Sequence, residues 1–270
     1  MSLPSKGDKT MAKFAPVCPI WLARKLNQLE MLGDYHLLLA HDIFKNPHGY
    51  AEVYGSNFRL NHRHGCIILD NSLIELGHPA DDDVMLEATA IVNPNVVVLP
   101  DYAHDMERTI TESSKAHNRW RKIGLLIDYM GVAQGNTLDE YVKCAVTLTR
   151  LPHVNHIGIP RNAVSKLHSR FQLIQKVREE TSPPWPEIHL LGFSEDVLDD
   201  VTCASLPFIK GIDSAVPLRA GLENVWLTSP FSYTEFVSPR NNYWEEEKPI
   251  TSALVQNIQR LRQWLQVPNR

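Results

Sequence analysis

The 270-residue chain has little of what marks the easily named protein classes. Its four cysteines, Cys18, Cys66, Cys144 and Cys203, stand far apart and form no C-x-x-C. This argues against a zinc ribbon and a disulfide framework, and makes a reducing cytoplasm the expected setting. No window approaches the ~18 consecutive apolar residues that cross a bilayer, so no membrane partner is expected. The N-terminus lacks the apolar stretch and small-residue cleavage site of a secretory signal. No Gly-x-Gly-x-x-Gly or Walker sequence follows an apolar run, which weakens nucleotide-cofactor readings, and no cofactor is assigned. A Gly-x-Ser-x-Gly elbow is also missing, so a serine hydrolase is poorly supported. Positive charge is not in excess: 27 Lys and Arg face 31 Asp and Glu, a net charge of -4. That argues against a generally cationic nucleic-acid binder and leaves only a local basic groove.

What the chain does have is alternation. Eight short apolar runs begin at His36–Ala40, Cys66–Leu69, Val96–Leu99, Ile123–Ile127, Val154–Gly158, Ile188–Leu191, Phe208–Ile212 and Val225–Leu227. Most are continuous rather than alternating, as in parallel strands covered on both faces. Between them lie stretches of helical period: Pro19–Leu32, a stretch opening at Pro79, one opening at Thr137, residues 161–180, one opening at Ser194, and residues 250–266. Eight β/α alternations in a chain of this length predict an α/β fold, a single-domain (β/α)8 barrel over residues 16–270 behind a loose tail of residues 1–15. A doubly wound open sheet is the runner-up, because periodicity does not show closure.

In a barrel the chemistry sits where the strands end. Four run ends deliver a carboxylate: Asp70, Asp101, Asp128 and Asp213. An Asp after a strand is often only a turn former or helix cap. Four on one rim would crowd charge, raise one another's pKa, and let one stay protonated while another ionises. The histidines do not gather into a ligand set; His41 beside Asp42 is the best placed, and no metal is assigned. A carboxylate pair acting on a glycosidic bond fits this rim best.

Six ordered segments then carry a resemblance. They are Asp70-Asn71-Ser72-Leu73-Ile74-Glu75, Pro100-Asp101, Gly131-Val132-Ala133-Gln134-Gly135, His156-Ile157-Gly158-Ile159-Pro160, His189-Leu190-Leu191-Gly192-Phe193, and Gly211-Ile212-Asp213-Ser214-Ala215-Val216-Pro217-Leu218-Arg219. In that order they resemble the Asp-Ser-Gly-Gly-Phe-Gln, base-reading Asp, Gly-Ile-Val-Gln-Gly, Ala-Ile-Gly-Gly-Leu, Tyr-Leu-Met-Gly-Val and Asp-Cys-Val-x-Pro-Thr-Arg segments of the tRNA-guanine transglycosylase superfamily. The family's zinc signature of three cysteines and a histidine is missing, and its Gly-Gly-Phe is replaced by Ser72-Leu73-Ile74. The compact zinc-free relatives, often from phage, resemble the chain better than the longer tRNA enzymes do.

The resemblance implies a base-exchange enzyme that replaces guanine in DNA with a 7-deazaguanine derivative such as preQ0. The target base would be flipped from its strand. Asp213 would be the nucleophile, Asp70 the general acid and then base. Asp101, Asn71 and Gln134 would bind the base, the backbone of Gly158 and Ile159 would line the pocket, Gly192 would permit close approach, and Arg219 would orient Asp213 or a phosphate. Asp128 has no family role. Phosphate contacts are expected from Arg161, Arg63 and Lys166. Around them stand Arg59, His62 and His64, then His168 and Arg170, while Arg119, Arg121 and Lys122 surround Trp120. Trp226 is a candidate for base stacking. A homodimer and a helper protein that opens the duplex are partners consistent with this reading. The alternatives are a tRNA-directed enzyme of the superfamily, a hydrolase of small glycosides or nucleosides, and a non-catalytic binding barrel.

Overall fold

The computed structural model describes residues 11–55, 65–163, 169–194, 196–229, 232 and 243–266. Eight parallel strands form one sheet: β1 (Lys13–Pro16), β2 (Tyr35–Leu39), β3 (Cys66–Asp70), β4 (Val96–Val98), β5 (Asp128–Val132), β6 (Val154–Pro160), β7 (Glu187–Leu191) and β8 (Ile209–Ser214). Hydrogen-bonded neighbours run β1-β8-β7-β6-β5-β4-β3-β2, and the edge strands β1 and β2 lie side by side, so the sheet curls into a nearly closed barrel. Helices alternate with the strands around it, which makes the chain a single-domain (β/α)8 barrel. No helix among the described residues is long and apolar enough to cross a membrane.

The apolar residues divide as the barrel demands. Ala15, Leu37, Leu39, Ile68, Val96, Val98, Met130 and Val132 fill the lumen. Leu38, Leu69, Val97, Tyr129, Ile157, Ile188 and Ile212 face the helical layer. The helix Met106–Lys122 shows how one sequence serves that layer. Asp105 caps it by accepting from the Arg108 amide at 3.0 Å. Met106, Thr109, Ser113, Ala116, His117 and Trp120 form its buried face, at three- and four-residue spacing.

Three strand boundaries differ from the sequence expectation. Ile123–Ile127 is not a strand. Gly124 takes a left-handed φ of 84°, its amide reaches Arg121 O at 3.1 Å, and the Leu125 amide reaches Trp120 O at 3.0 Å. This is a Schellman cap that ends the preceding helix, and the strand begins only at Asp128. Val225–Leu227 is the same case: Asn224 is left-handed, and amides 224 and 225 bond back to Gly221 and Ala220. The eighth strand comes instead from the expected tail, whose residues 13–15 belong to β1. Residues 1–10 lie outside the described residues.

Candidate active site

The carboxyl ends of the strands gather three of the four expected carboxylates. Asp70 is the last residue of β3, Asp213 lies at the end of β8, and Asp101 follows β4. Asp128 is corrected. It is the first residue of β5, at the opposite end of the barrel, where it accepts from Asn155 Nδ2 at 2.8 Å and faces His156 at 3.9 Å. The shift follows from the strand starting after Ile127 rather than ending there.

Asp70 and Asp213 sit in unequal surroundings. Burial pushes the Asp70 carboxyl well above the usual carboxylate range, and Glu75, Asp101 and Asp213 push the same way. Among the described residues the opposing contact is the Ser72 amide, 2.8 Å from Asp70 Oδ2. That amide is aimed by an unusual backbone: Ser72 is left-handed at φ 61°, and it opens the short helix Leu73–Leu76. Asp213 instead collects donors. His189 Nε2 lies 3.0 Å from its Oδ1, and the Gly192 amide lies 2.9 Å from the same oxygen. Gly192 has φ 67°, so a side chain here would strain the turn that presents this amide.

The Asp70 environment fixes the sign of a pH effect. Its folded pKa is raised, so the protonated form is favoured on folding. The resulting stability is present below the unfolded pKa of about 4 and is lost as pH rises towards the folded value. Asp70→Asn keeps an acceptor for the Ser72 amide and cannot ionise. Its urea midpoint is therefore expected to match wild type near pH 4 and to exceed it at pH 7, each kcal/mol raising Tm by about 2–4 °C. Equal midpoints at pH 7 would remove the assignment of Asp70 as a neutral acid.

Asp101 is clamped by amides. Asn71 Nδ2 donates to its Oδ1 at 2.8 Å, and Gln134 Nε2 donates to its Oδ2 at 2.6 Å. Asn71 also donates to Leu99 O, and Gln134 Oε1 accepts from the His104 amide at 3.2 Å. Asn71, Asp101 and Gln134 are all buried. Burial still holds Asp101 above its ordinary pKa, although both amides pull the other way. The structure thus joins three residues expected to read the base, with the amides of Asn71 and Gln134 already engaged in holding Asp101.

Other expected residues are placed differently. Gly158 and Ile159 lie inside β6, paired to β7, and Gly158 O accepts from the Ala133 amide. A Cβ on Gly158 would stand 2.8 Å from Leu191 Cδ1, so side chains already fill the lumen there, and Ile159 faces the helical layer. Arg219 turns towards the Tyr243 ring, 5.7 Å from its centre, while the described hydrogen bonds to Asp213 come from His189 and Gly192. Arg161 is exposed directly after β6, its side chain beside Gly192, where its charge opposes the burial that raises the Glu75 pKa. Arg170, by contrast, is fully buried and paired with Asp200. Arg119, Arg121 and Lys122 occupy the last turn of their helix, just ahead of β5 and so at the end of the barrel away from the site. Trp226 follows a helix cap rather than a strand. Arg59, His62, Arg63, His64, Lys166 and His168 lie outside the described residues.

Sequence reasoning missed three neighbours. His189 and Tyr35 back Asp213, and Trp244 packs with Leu191 and Ala215 against the lumen cluster. The alternation of β2 and β7 gave the signal, since Tyr35 and His189 sit at lumen-facing positions where an aliphatic residue is the ordinary choice. Space for the Tyr35 ring is made by Gly211, whose Cβ would overlap that ring and the Lys13 carbonyl. Gly211→Ala is expected to cost about 1–3 kcal/mol, read as a lower urea midpoint, because the backbone oxygen cannot move aside without breaking the β1–β8 ladder.

Comparison with known proteins adds no assignment. No family model matches the chain, and no curated protein matches it significantly. Among the described residues no group of three or more His, Cys, Asp and Glu is arranged to hold a metal ion.

Proposed function

We propose that the protein is a pentosyltransferase that exchanges guanine in DNA for a 7-deazaguanine base through a covalent sugar–Asp213 intermediate. The observation that carries this is an Asp70 whose carboxyl is pushed well above the usual carboxylate range beside an Asp213 whose Oδ1 is pinned by two donors. Displacement at an anomeric carbon requires two carboxyl groups in unlike surroundings, one to attack and one to carry the proton.

Asp213 Oδ2, free of donors among the described contacts, attacks C1′ of the flipped nucleotide as the C1′–N9 bond breaks. Its electron pair leaves with guanine, and Asp70 supplies the proton that neutralises the leaving base. The Asp70 carboxylate then takes the N9 proton of the incoming deazapurine. The new C1′–N bond forms, and Asp213 departs as a carboxylate. Asp101, clamped by Asn71 and Gln134, is a rigid acceptor for the base edge. Arg161, exposed beside Gly192, meets a phosphate of the flipped strand. Support for guanine and for DNA comes from the six-segment resemblance to the zinc-free transglycosylases.

The test offers guanine-containing duplex DNA, single-stranded DNA or tRNA together with labelled 7-cyano-7-deazaguanine, followed by nucleoside digestion. Label in DNA is expected. Label confined to tRNA would reassign the polymer. Free base released from small nucleosides without label would make the protein a hydrolase.

A further inference from the structure

The mechanism above uses Asp213 and leaves the two residues behind it without a role. Tyr35 Oη lies 2.8 Å from His189 Nδ1, and His189 Nε2 lies 3.0 Å from Asp213 Oδ1. The three side chains come from β2, β7 and β8 and form a line of hydrogen bonds. Tyr35 and His189 are buried, with ring centres 5.6 Å apart.

Counting protons along the line leaves one arrangement. As the attacking group, Asp213 accepts at Oδ1, so His189 donates from Nε2. The Tyr35 hydroxyl has one hydrogen, and its described side-chain hydrogen bond is to His189 Nδ1. A cationic His189 would point a hydrogen from Nδ1 at Tyr35 and turn the hydroxyl hydrogen away from its partner. The neutral form with Nε2–H satisfies every hydrogen. Burial keeps the Tyr35 hydroxyl protonated, pushing its pKa well above 10. Other titratable neighbours are Cys66 on β3, beside Tyr35, His156 on β6, whose pKa burial lowers, and Glu187 on β7, which pairs with Lys210 at 2.7 Å.

We propose that Tyr35 locks His189 as the neutral Nε2–H tautomer, and that His189 is a positioning residue that fixes the plane of the Asp213 carboxylate. The inference rests on the reading of Asp213 as nucleophile. With His189 and Gly192 both on Oδ1, the carboxylate cannot rotate, and Oδ2 keeps one direction of attack. A neutral donor does this without the charge pairing by which an imidazolium would quench the nucleophile. The fold invests in the arrangement: Gly211 gives up its side chain to admit the Tyr35 ring. Arg170 holds Gly192 O and Leu191 O, each at 2.7 Å, on the turn that follows His189.

The test has a spectroscopic and a kinetic half. In 15N-labelled protein, long-range proton–nitrogen spectra of His189 between pH 6 and 8 are expected to show protonated Nε2 and bare Nδ1. Tyr35→Phe, which removes only the hydroxyl, is expected to leave Nε2 protonated and shift the Nδ1 resonance, because that nitrogen loses its donor. In base exchange, Tyr35→Phe is expected to lower kcat about 10-fold and His189→Leu about 100-fold, with KM within twofold. His189→Gln, whose amide donates from a similar position, is expected to recover most of the kcat lost in the Leu variant. A cationic or Nδ1–H His189 in the wild type would overturn the proposal. So would a change confined to KM, or a Gln variant as slow as Leu at equal thermal stability. The two readings fail separately. A free tautomer in a protein that exchanges bases refutes the lock alone. A locked tautomer in one that exchanges none refutes the transglycosylase reading.

Discussion

Asp213→Asn is expected to lower base exchange by about 10³-fold or more while the protein stays folded. The reason lies in which atom changes. The Asn carbonyl oxygen occupies the place of Oδ1 and still accepts from His189 Nε2 and the Gly192 amide. The amide nitrogen takes the place of Oδ2, and its lone pair is delocalised into the carbonyl, so no nucleophile faces C1′. The turn at Gly192 and the Tyr35–His189 line keep their partners, and Tm is expected to move by no more than a degree or two. Asp213→Ala differs, because it orphans the Gly192 amide and His189 together. The chemical claim has its own readout. Wild type incubated with guanine-containing DNA and no incoming base should leave a DNA–protein adduct that survives denaturing electrophoresis, and the Asn variant should leave none. Full exchange by Asp213→Asn would remove the nucleophile from the scheme.

The barrel was legible in the sequence because its middle strands are unambiguous. Val96-Val97-Val98 and Ile188–Leu191 are short, apolar and flanked by polar turns, and they fold as read. Two of the three errors share one physical cause. Ile123-Gly124-Leu125-Leu126 and Val225-Trp226-Leu227 are apolar because a Schellman cap places a hydrophobic residue just past a helix end, and such a run looks like a strand. Leu126 is 75% exposed, which a core strand residue would not be. β1 was hidden by its length of four residues, its lysine, and a proline tolerated only because β1 is an edge strand. One misplaced strand then displaced one site residue: Asp128 looked like a carboxyl-end Asp only while its strand was thought to precede it.

The site itself was half legible. Asp70, Asp101 and Asp213 follow strand ends in sequence, and strand ends in a barrel converge. Their inequality was not legible, because burial and donor count depend on neighbours far along the chain. Asp213 takes its donors from residues 189 and 192, and Asp101 from residues 71 and 134. Arg170 shows the same limit from the other side. In sequence it stands in a basic stretch and reads as a phosphate contact; in the fold its guanidinium is enclosed.

That enclosed guanidinium carries the largest expected effect on stability. Arg170 donates to Pro160 O, Gly192 O, Leu191 O and Asp200 Oδ1, at 3.3, 2.7, 2.7 and 2.9 Å. Asp200 in turn accepts from the Ser194 amide and hydroxyl. Arg170→Met fills similar space but leaves a buried carboxylate without its cation and takes a donor from three carbonyls, so the expected cost is about 3–5 kcal/mol. Adding Asp200→Leu removes the orphaned charge. If the ion pair were all that mattered, the double variant would regain wild-type stability. It is expected to regain only part, because the carbonyls at the ends of β6 and β7 still lack the fork that ties the two strands together. The same loosening reaches the chemistry: the freed turn carries the Gly192 amide, so kcat in the double variant should fall even under conditions where the protein remains folded. Urea midpoints and kcat measured on the single and double variants check both halves. Full recovery of stability and rate in the double variant would reduce Arg170 to a partner for Asp200 and nothing more.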